Sequence, residues 1–192
     1  MTNLVLFDFD GTLLGGDSTK LAYKVLYKNE VTFYLVYYVS FIKGFIVYFL
    51  TGNYSYLNEL RRTHLEKRFE ILKSSSFTRI ARKKLFNKVY KELEVNIQNG
   101  NKVVIVSAGY RELIRLIMGD DLKYELIANS LFDKKIEAIN YENKVTRLNL
   151  EYKRIYQVKA AYGNTKGDIP MLEIAEKAFW VDKNGRISEF MR

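Results

Sequence analysis

The chain has 192 residues, 48% hydrophobic and 28% charged, with no cysteine. That length holds one sizeable core plus a small accessory unit, the composition excludes a disordered chain, and the missing cysteines exclude disulfides and thiolate metal sites. The balance of 31 Lys+Arg against 22 Asp+Glu gives a net charge of +9, which attracts phosphorylated substrates, anionic lipid surfaces or nucleic acid. Many of the positive charges are scattered through helical segments, as at Arg61, Arg62, Lys67 and Arg68. No zinc-finger spacing or aromatic RNA-binding signature stands beside them, so nucleic acid is the least favoured of the three partners.

Leu4 to Phe7 are consecutive apolar residues, which predicts a short strand buried on both faces of a parallel sheet. Asp8 and Asp10 follow, then Gly11-Thr12. In an extended chain residues two apart point to the same side, so the two carboxylates converge just past the strand end. Like charges there repel unless a cation sits between them. The carboxyl end of a parallel strand is also where open α/β sheets bind ligands, so a magnesium-assisted site is expected. The plain alternative is a strand followed by an acidic turn. A catalytic strand this close to Met1 leaves no room for a signal peptide, so a cytoplasmic location is expected.

Leu14 to Ser18 reads as a turn in which Asp17 or Ser18 caps the next helix. Helical periodicity runs from Thr19 to about Phe86, with breaks at Gly44, Gly52-Asn53 and Ser74 to Ser76, and a helix is predicted from Phe77 to Gln98. Val31 to Leu50 is nearly all apolar or aromatic. Its length approaches a membrane span, but Lys43 lies deep in it, where a charge costs about 2.5–3.5 kcal/mol. Its tyrosines suit an interface better, and a span would part the two halves of one domain. A transmembrane helix is therefore rejected. Two readings remain: a helical hairpin bent near Lys43-Gly44 that packs on itself and the core, or an apolar face that meets a membrane or lipid tail.

From Lys102 the pattern becomes α/β. Val103 to Val106 is a second buried strand, ended by Ser107 and followed by a helix from Arg111 to Met118. Ser107 Oγ and the amides beside it, Ala108 among them, can bind a phosphate oxygen at a helix N-terminus; a Ser N-cap without ligand is the alternative. Glu125–Asn129, Val158–Tyr162 and Ala178–Val181 are further strand candidates. Gly163 to Asp168 forms a glycine-rich polar loop in which Asn164 and Asp168 offer oxygens that suit Mg²⁺, unless the loop is only a connection.

Together, Asp8-Phe9-Asp10-Gly11-Thr12, Ser107 and Gly163-Asn164-Thr165-Lys166-Gly167-Asp168 resemble the haloacid dehalogenase superfamily of phosphatases. The helical insertion after the first motif resembles the cap of its phosphoserine-phosphatase-like branch. Asp17-Ser18, Tyr141 to Val145 and Ala178 to Val181 with Gly185 are most similar to bacterial phosphatidylglycerophosphatase-type members. The resemblance implies an α/β fold with a Rossmann-like parallel-sheet core (1–16 and 87–192) and a helical cap (17–86) inserted after the first strand.

It also implies a mechanism: Asp8 is the nucleophile and Asp10 the general acid and base. Mg²⁺ is held by Asp8, Asp10 and the last motif through Asn164 and Asp168, while Thr12, Ser107 and Ala108 hold phosphate oxygens. A lysine must offset the charge, and Lys144, Lys153 and Lys159 compete. Lys144 fits best, because Glu142-Asn143-Lys144-Val145 resembles the branch's lysine-bearing helix start. Most relatives carry Gly-Asp where this chain has Gly163-Asn164, so the metal site loses one negative charge. Asp17 stands where phosphoserine phosphatases carry a glutamate that reads the substrate amine, and capping is the alternative. His64, the only histidine, reads as a surface residue of the cap.

The expected function is a Mg²⁺-dependent phosphomonoesterase whose substrate is a lipid-linked or apolar phosphate. The alternatives are a small-metabolite phosphatase and a weakly active membrane- or partner-binding module. A location at the inner membrane face goes with the lipid reading.

Overall fold

The computed structural model describes residues 2–27, 30–51, 55–119, 123–133, 139 and 141–191. The first apolar run forms strand β1 (Thr2–Phe7), and the later ones form β2 (Lys102–Tyr110), β3 (Tyr124–Asn129), β4 (Tyr156–Gly163) and β5 (Ala175–Val181). These are parallel neighbours in the order β3-β2-β1-β4-β5, and an antiparallel strand, β6 (Ile187–Glu189), extends the sheet beyond β5. β1 therefore lies at the centre with β2 and β4 on either side, the switch point at which such sheets gather their chemistry.

Alternation along each strand divides the core. Val5, Phe7, Val103 and Ile105 face one hydrophobic cluster, and Leu4, Leu6, Val104 and Val106 face the other. Helix α6 (Asn87–Gln98) and helix α7 (Arg111–Met118) cover the first face through Leu93, Leu113 and Ile117. The second face is covered by α8 (Glu142–Glu151) and α9 (Ile169–Glu173) through Leu148, Met171 and Leu172. Burying both faces is what makes these strands read as unbroken apolar runs.

Between β1 and α6 lie five helices: α1 (Ser18–Leu26), α2 (Glu30–Thr51), α3 (Ser55–Glu66), α4 (Phe69–Lys73) and α5 (Phe77–Arg82). The single helix expected from Phe77 to Gln98 is broken. Leu85 bridges to Leu14, the Phe86 N–H donates to Leu13 O at 2.9 Å, and Gly15 N–H donates to Lys84 O at 2.7 Å. The outgoing and returning strands of the chain thus pair where they leave the sheet. The Phe86 ring lies so close to Gly185 that a Cβ there would come within 2.5 Å of it, and this packing overrides a helical periodicity that contains no breaker.

The hairpin expected near Lys43-Gly44 does not form. Helix α2 runs unbroken from Glu30 to Thr51, with Gly44 buried inside it. A single glycine costs only about 1 kcal/mol in a helix, too little by itself to end one of 22 residues. Among the described residues no helix is long and apolar enough to cross a membrane.

His64 is likewise not a surface residue. It is half-buried, stacked on Tyr23 with centroids 5.2 Å apart, and paired with the Tyr27 hydroxyl. Burial, helped by Arg68 and Lys67, pushes its pKa down to about 4. An unfolded histidine titrates near 6.5, so between these values the unfolded chain binds the extra proton and stability falls as pH falls. His64→Phe keeps the stacking but cannot titrate. Its melting temperature should drop less than the parent's between pH 7 and pH 5, and an equal drop would place the acid sensitivity elsewhere.

Candidate active site

The site is built at the carboxyl ends of β1, β2 and β4. Asp8 follows β1 directly, and its N–H donates to Tyr162 O on β4 at 2.9 Å. Its side chain is 7% exposed and held from two directions. Lys144 Nζ donates to Oδ1 at 2.7 Å, and Thr12 Oγ donates to Oδ2 at 3.1 Å.

Lys144 comes from the first turn of α8 and is 3% exposed. Besides Asp8, its ammonium reaches Asp168 Oδ1 at 2.6 Å and Val106 O on β2 at 2.9 Å. Burial disfavours the charge, but the two carboxylates outweigh it and raise the lysine pKa. The competing lysines stand elsewhere: Lys159 pairs with Glu176 at 2.8 Å, and Lys153 is exposed in a left-handed turn with φ 51°.

Asp168 is fully engaged. Its Oδ2 accepts from the N–H groups of Asn164 and Thr165 and from Thr165 Oγ, at 3.0, 2.8 and 2.9 Å. Burial would raise its pKa, yet Lys144 and these donors hold it below the usual carboxylate range. Asp168 thus anchors both Lys144 and its own loop.

Asp10 is held separately. Its two carboxylate oxygens accept from Ser18 N–H at 2.8 Å and Ser18 Oγ at 3.1 Å. Loss of water around it, and then the charge of Asp17, push its pKa up to about 8, so it carries a proton at neutral pH. Asp17 itself is exposed and caps α1 by accepting from Lys20 N–H at 2.8 Å.

Ser107 ends the straight part of β2 and is buried, its Oγ accepting from Gly109 N–H at 3.0 Å. Ala108 follows it and is exposed. Two residues that sequence reasoning did not single out for the site complete it. Ser18 was read only as a candidate helix cap. Gly109 passes so close that a Cβ there would come 3.1 Å from Asp10 Oδ2, 3.2 Å from Ser107 Oγ and 3.6 Å from Ser18 Oγ. The only sequence signal for Gly109 is a small residue after a strand-end serine.

The donor set suits a hard cation. Burial raises the Asp8 pKa more than Lys144 lowers it, so a further cation beside Asp8 would favour its ionised form. Thr12 Oγ lies 3.1 Å from both Asp8 Oδ2 and Asn164 Oδ1. One hydroxyl has one proton, so at any moment it leaves one of these oxygens without its donation. The available oxygens are the Asp8 carboxylate, the Asn164 amide oxygen and the backbone carbonyl of Asp10, a set with few protein ligands of the kind Mg²⁺ accepts. Among the described residues no group of three or more His, Cys, Asp or Glu side chains forms a metal cage. A cleft of about 710 Å³ opens beside the site, lined by Gly11, Gly16, Asn164, Trp180 and Lys183 among others.

A sheet with this switch point, a nucleophile candidate after its central strand and a lysine joining it to the last loop define a hydrolase site of the haloacid dehalogenase type. The family model for haloacid dehalogenase-like hydrolases matches residues 5–173, and the chain belongs to that family. The chain is similar to a solved protein of unknown function from Bordetella pertussis Tohama I, at 18% identity and TM-score 0.70, covering 93% of this chain and 89% of that one. A phosphoserine phosphohydrolase-like protein from Francisella tularensis subsp. tularensis SCHU S4 aligns at 19% identity and TM-score 0.53, covering 93% and 86% of the two chains. A phosphoserine phosphatase, solved as an analogue of its phospho-aspartyl intermediate, aligns at 17% identity and TM-score 0.50, covering 92% and 85%. No protein with a curated description matches.

Two substitutions test the geometry. Gly109→Ala pushes a methyl group against Asp10 and Ser107, and should lower kcat on a chromogenic phosphate ester roughly ten- to a hundredfold with the fold retained. Asp17→Asn keeps the cap but removes a charge that raises the Asp10 pKa. The alkaline limb of kcat/KM should therefore move to lower pH, and an unmoved limb would separate Asp17 from the acid.

Proposed function

We propose that the protein is a Mg²⁺-dependent phosphomonoesterase that works through an aspartyl-phosphate. The observation that carries this reading is the different treatment of the two carboxyls. Asp8 is held against a buried ammonium, while Asp10 is held by Ser18 and kept protonated. Two carboxyl groups in opposite roles is the arrangement that acid-assisted displacement needs.

An oxygen of Asp8 attacks phosphorus, forming the acyl-phosphate bond as the ester P–O bond breaks. Asp10 gives its proton to the departing alkoxide. It then takes a proton from water, whose oxygen attacks phosphorus, releasing inorganic phosphate and restoring Asp8. Lys144 stabilises the charge that builds up on the transferred group and aligns Asp8. Thr12, Ser107 and the amide at Ala108 bind phosphate oxygens. Asp8, the Asp10 carbonyl and Asn164 would hold Mg²⁺, which would supply positive charge favouring the ionised form of Asp8 and the binding of a phosphate beside it.

The substrate class is a phosphorylated small molecule. Lys20, Lys24 and Lys84 line a recess of about 240 Å³ with Gly15, Gly16 and Asp17, which suits further negative charge on the substrate. A second reading, a lipid-linked phosphate, is favoured by the sequence likeness to phosphatidylglycerophosphatase-type members and by the apolar side chains that α2 exposes.

Asp8→Asn should abolish hydrolysis of p-nitrophenyl phosphate while leaving the melting temperature close to that of the parent, and near-normal turnover would end the covalent mechanism. Asn164→Asp restores a carboxylate to the last motif, so the Mg²⁺ concentration for half-maximal activity should fall several-fold. An unchanged requirement would remove Asn164 from the metal site.

A further inference from the structure

We infer that the outward face of α2 is a docking surface for an anionic lipid bilayer; this stands without the phosphatase reading. Its apolar side chains lie in the open: Val31 is 65% exposed, Leu35 59%, Ile42 56%, Phe45 59%, Phe49 80% and Leu50 75%. At 3.6 residues per turn these positions fall within one arc of roughly 140° along the whole helix. A contiguous apolar face of that extent on a folded protein marks an interaction site.

The charge identifies the occupant. The chain carries +9, so a second copy brings like charge to the contact, whereas an anionic bilayer brings opposite charge. Lys43 is exposed and borders the apolar arc, where its stem can lie along the face and its ammonium can meet lipid phosphates. Helix α1, which packs against α2, exposes Lys20 and Lys24 one turn apart. An apolar face in the headgroup layer and basic residues at the surface are two weak anchors that act together. Tyr38 and Tyr48, 43% and 39% exposed, are residues that favour the membrane–water interface.

The test uses the full chain with vesicles of phosphatidylcholine alone and of phosphatidylcholine mixed with phosphatidylglycerol. The parent should sediment with the mixed vesicles. It should be released as salt shortens the screening length from about 30 Å at 0.01 M to about 3 Å at 1 M. Phe45→Ser with Phe49→Ser should weaken binding at least tenfold, and Leu35→Ser with Ile42→Ser, an independent pair on the same face, should do the same. Hydrolysis of p-nitrophenyl phosphate and the melting curve report that each variant is folded. Failure of the parent to bind at low salt overturns the inference, as does unchanged binding by both variants. Concentration-dependent dimerisation that the Ser variants abolish assigns the face to a second copy and also overturns it.

Discussion

The site depends on one buried ammonium. Lys144 Nζ lies within 2.6–2.9 Å of Asp168, Asp8 and the Val106 carbonyl. Those contacts tie four separate parts of the chain together: the ends of β1 and β2, the start of α8 and the loop after β4. Taking such charges out of water is costly, and the mutual attraction offsets that cost only when every group is paired. Removing the lysine alone leaves two buried carboxylates facing each other, a defect worth about 3–5 kcal/mol in comparable buried pairs. The same contact that makes the fold intolerant of change at residue 144 also aims Asp8 at the cleft. Stability and chemistry share one side chain.

Asp10 is built on the opposite principle. Its oxygens are held by Ser18, which starts the first helix of the inserted segment. Asp10 therefore belongs to the strand side by its backbone and to the insertion by its hydrogen bonds. The paired segments at Leu13 to Gly15 and Lys84 to Phe86 fix where that insertion joins the sheet. Arg62 fixes it at a second point, donating to Leu131 O at 2.6 Å while paired with Glu59 and Glu66. The start of that helix acts on Asp10 in both directions, since the Asp17 charge adds to burial in raising its pKa and the two Ser18 bonds lower it.

The strands and the acidic motifs were legible because their signals are local. Four consecutive apolar residues can only be buried on both faces, and two carboxylates two apart in an extended chain must converge. Lys144 was legible only through resemblance, since local pattern did not separate it from Lys153 and Lys159; what separates them is α8 docking over the end of β2. Ser18 and Gly109 act through a backbone N–H and a missing Cβ, properties that no composition or spacing displays. The break between α5 and α6 comes from pairing with residues about seventy positions earlier, and α2 continues through Gly44, which is buried inside it. Each of these is a long-range effect that overrides a local preference.

Asn164 shows how the last loop divides its work. Its backbone N–H is given to Asp168 and its amide oxygen faces Thr12. A Cβ on Gly11 would come within 2.0 Å of its Nδ2, so the motif's glycine, at φ +85°, is what allows the amide to approach so closely. Asp168 spends its Oδ2 on its own loop and its Oδ1 on Lys144, whereas the Asn164 side-chain oxygen shares only the Thr12 hydroxyl with Asp8. Burial, and after it the charge of Asp168, already raise the Asp8 pKa against the pull of Lys144, and a neutral amide at 164 adds no further repulsion. An amide in place of the usual aspartate thus lowers the negative charge of the cluster, and by the same step the attraction the loop would exert on a cation.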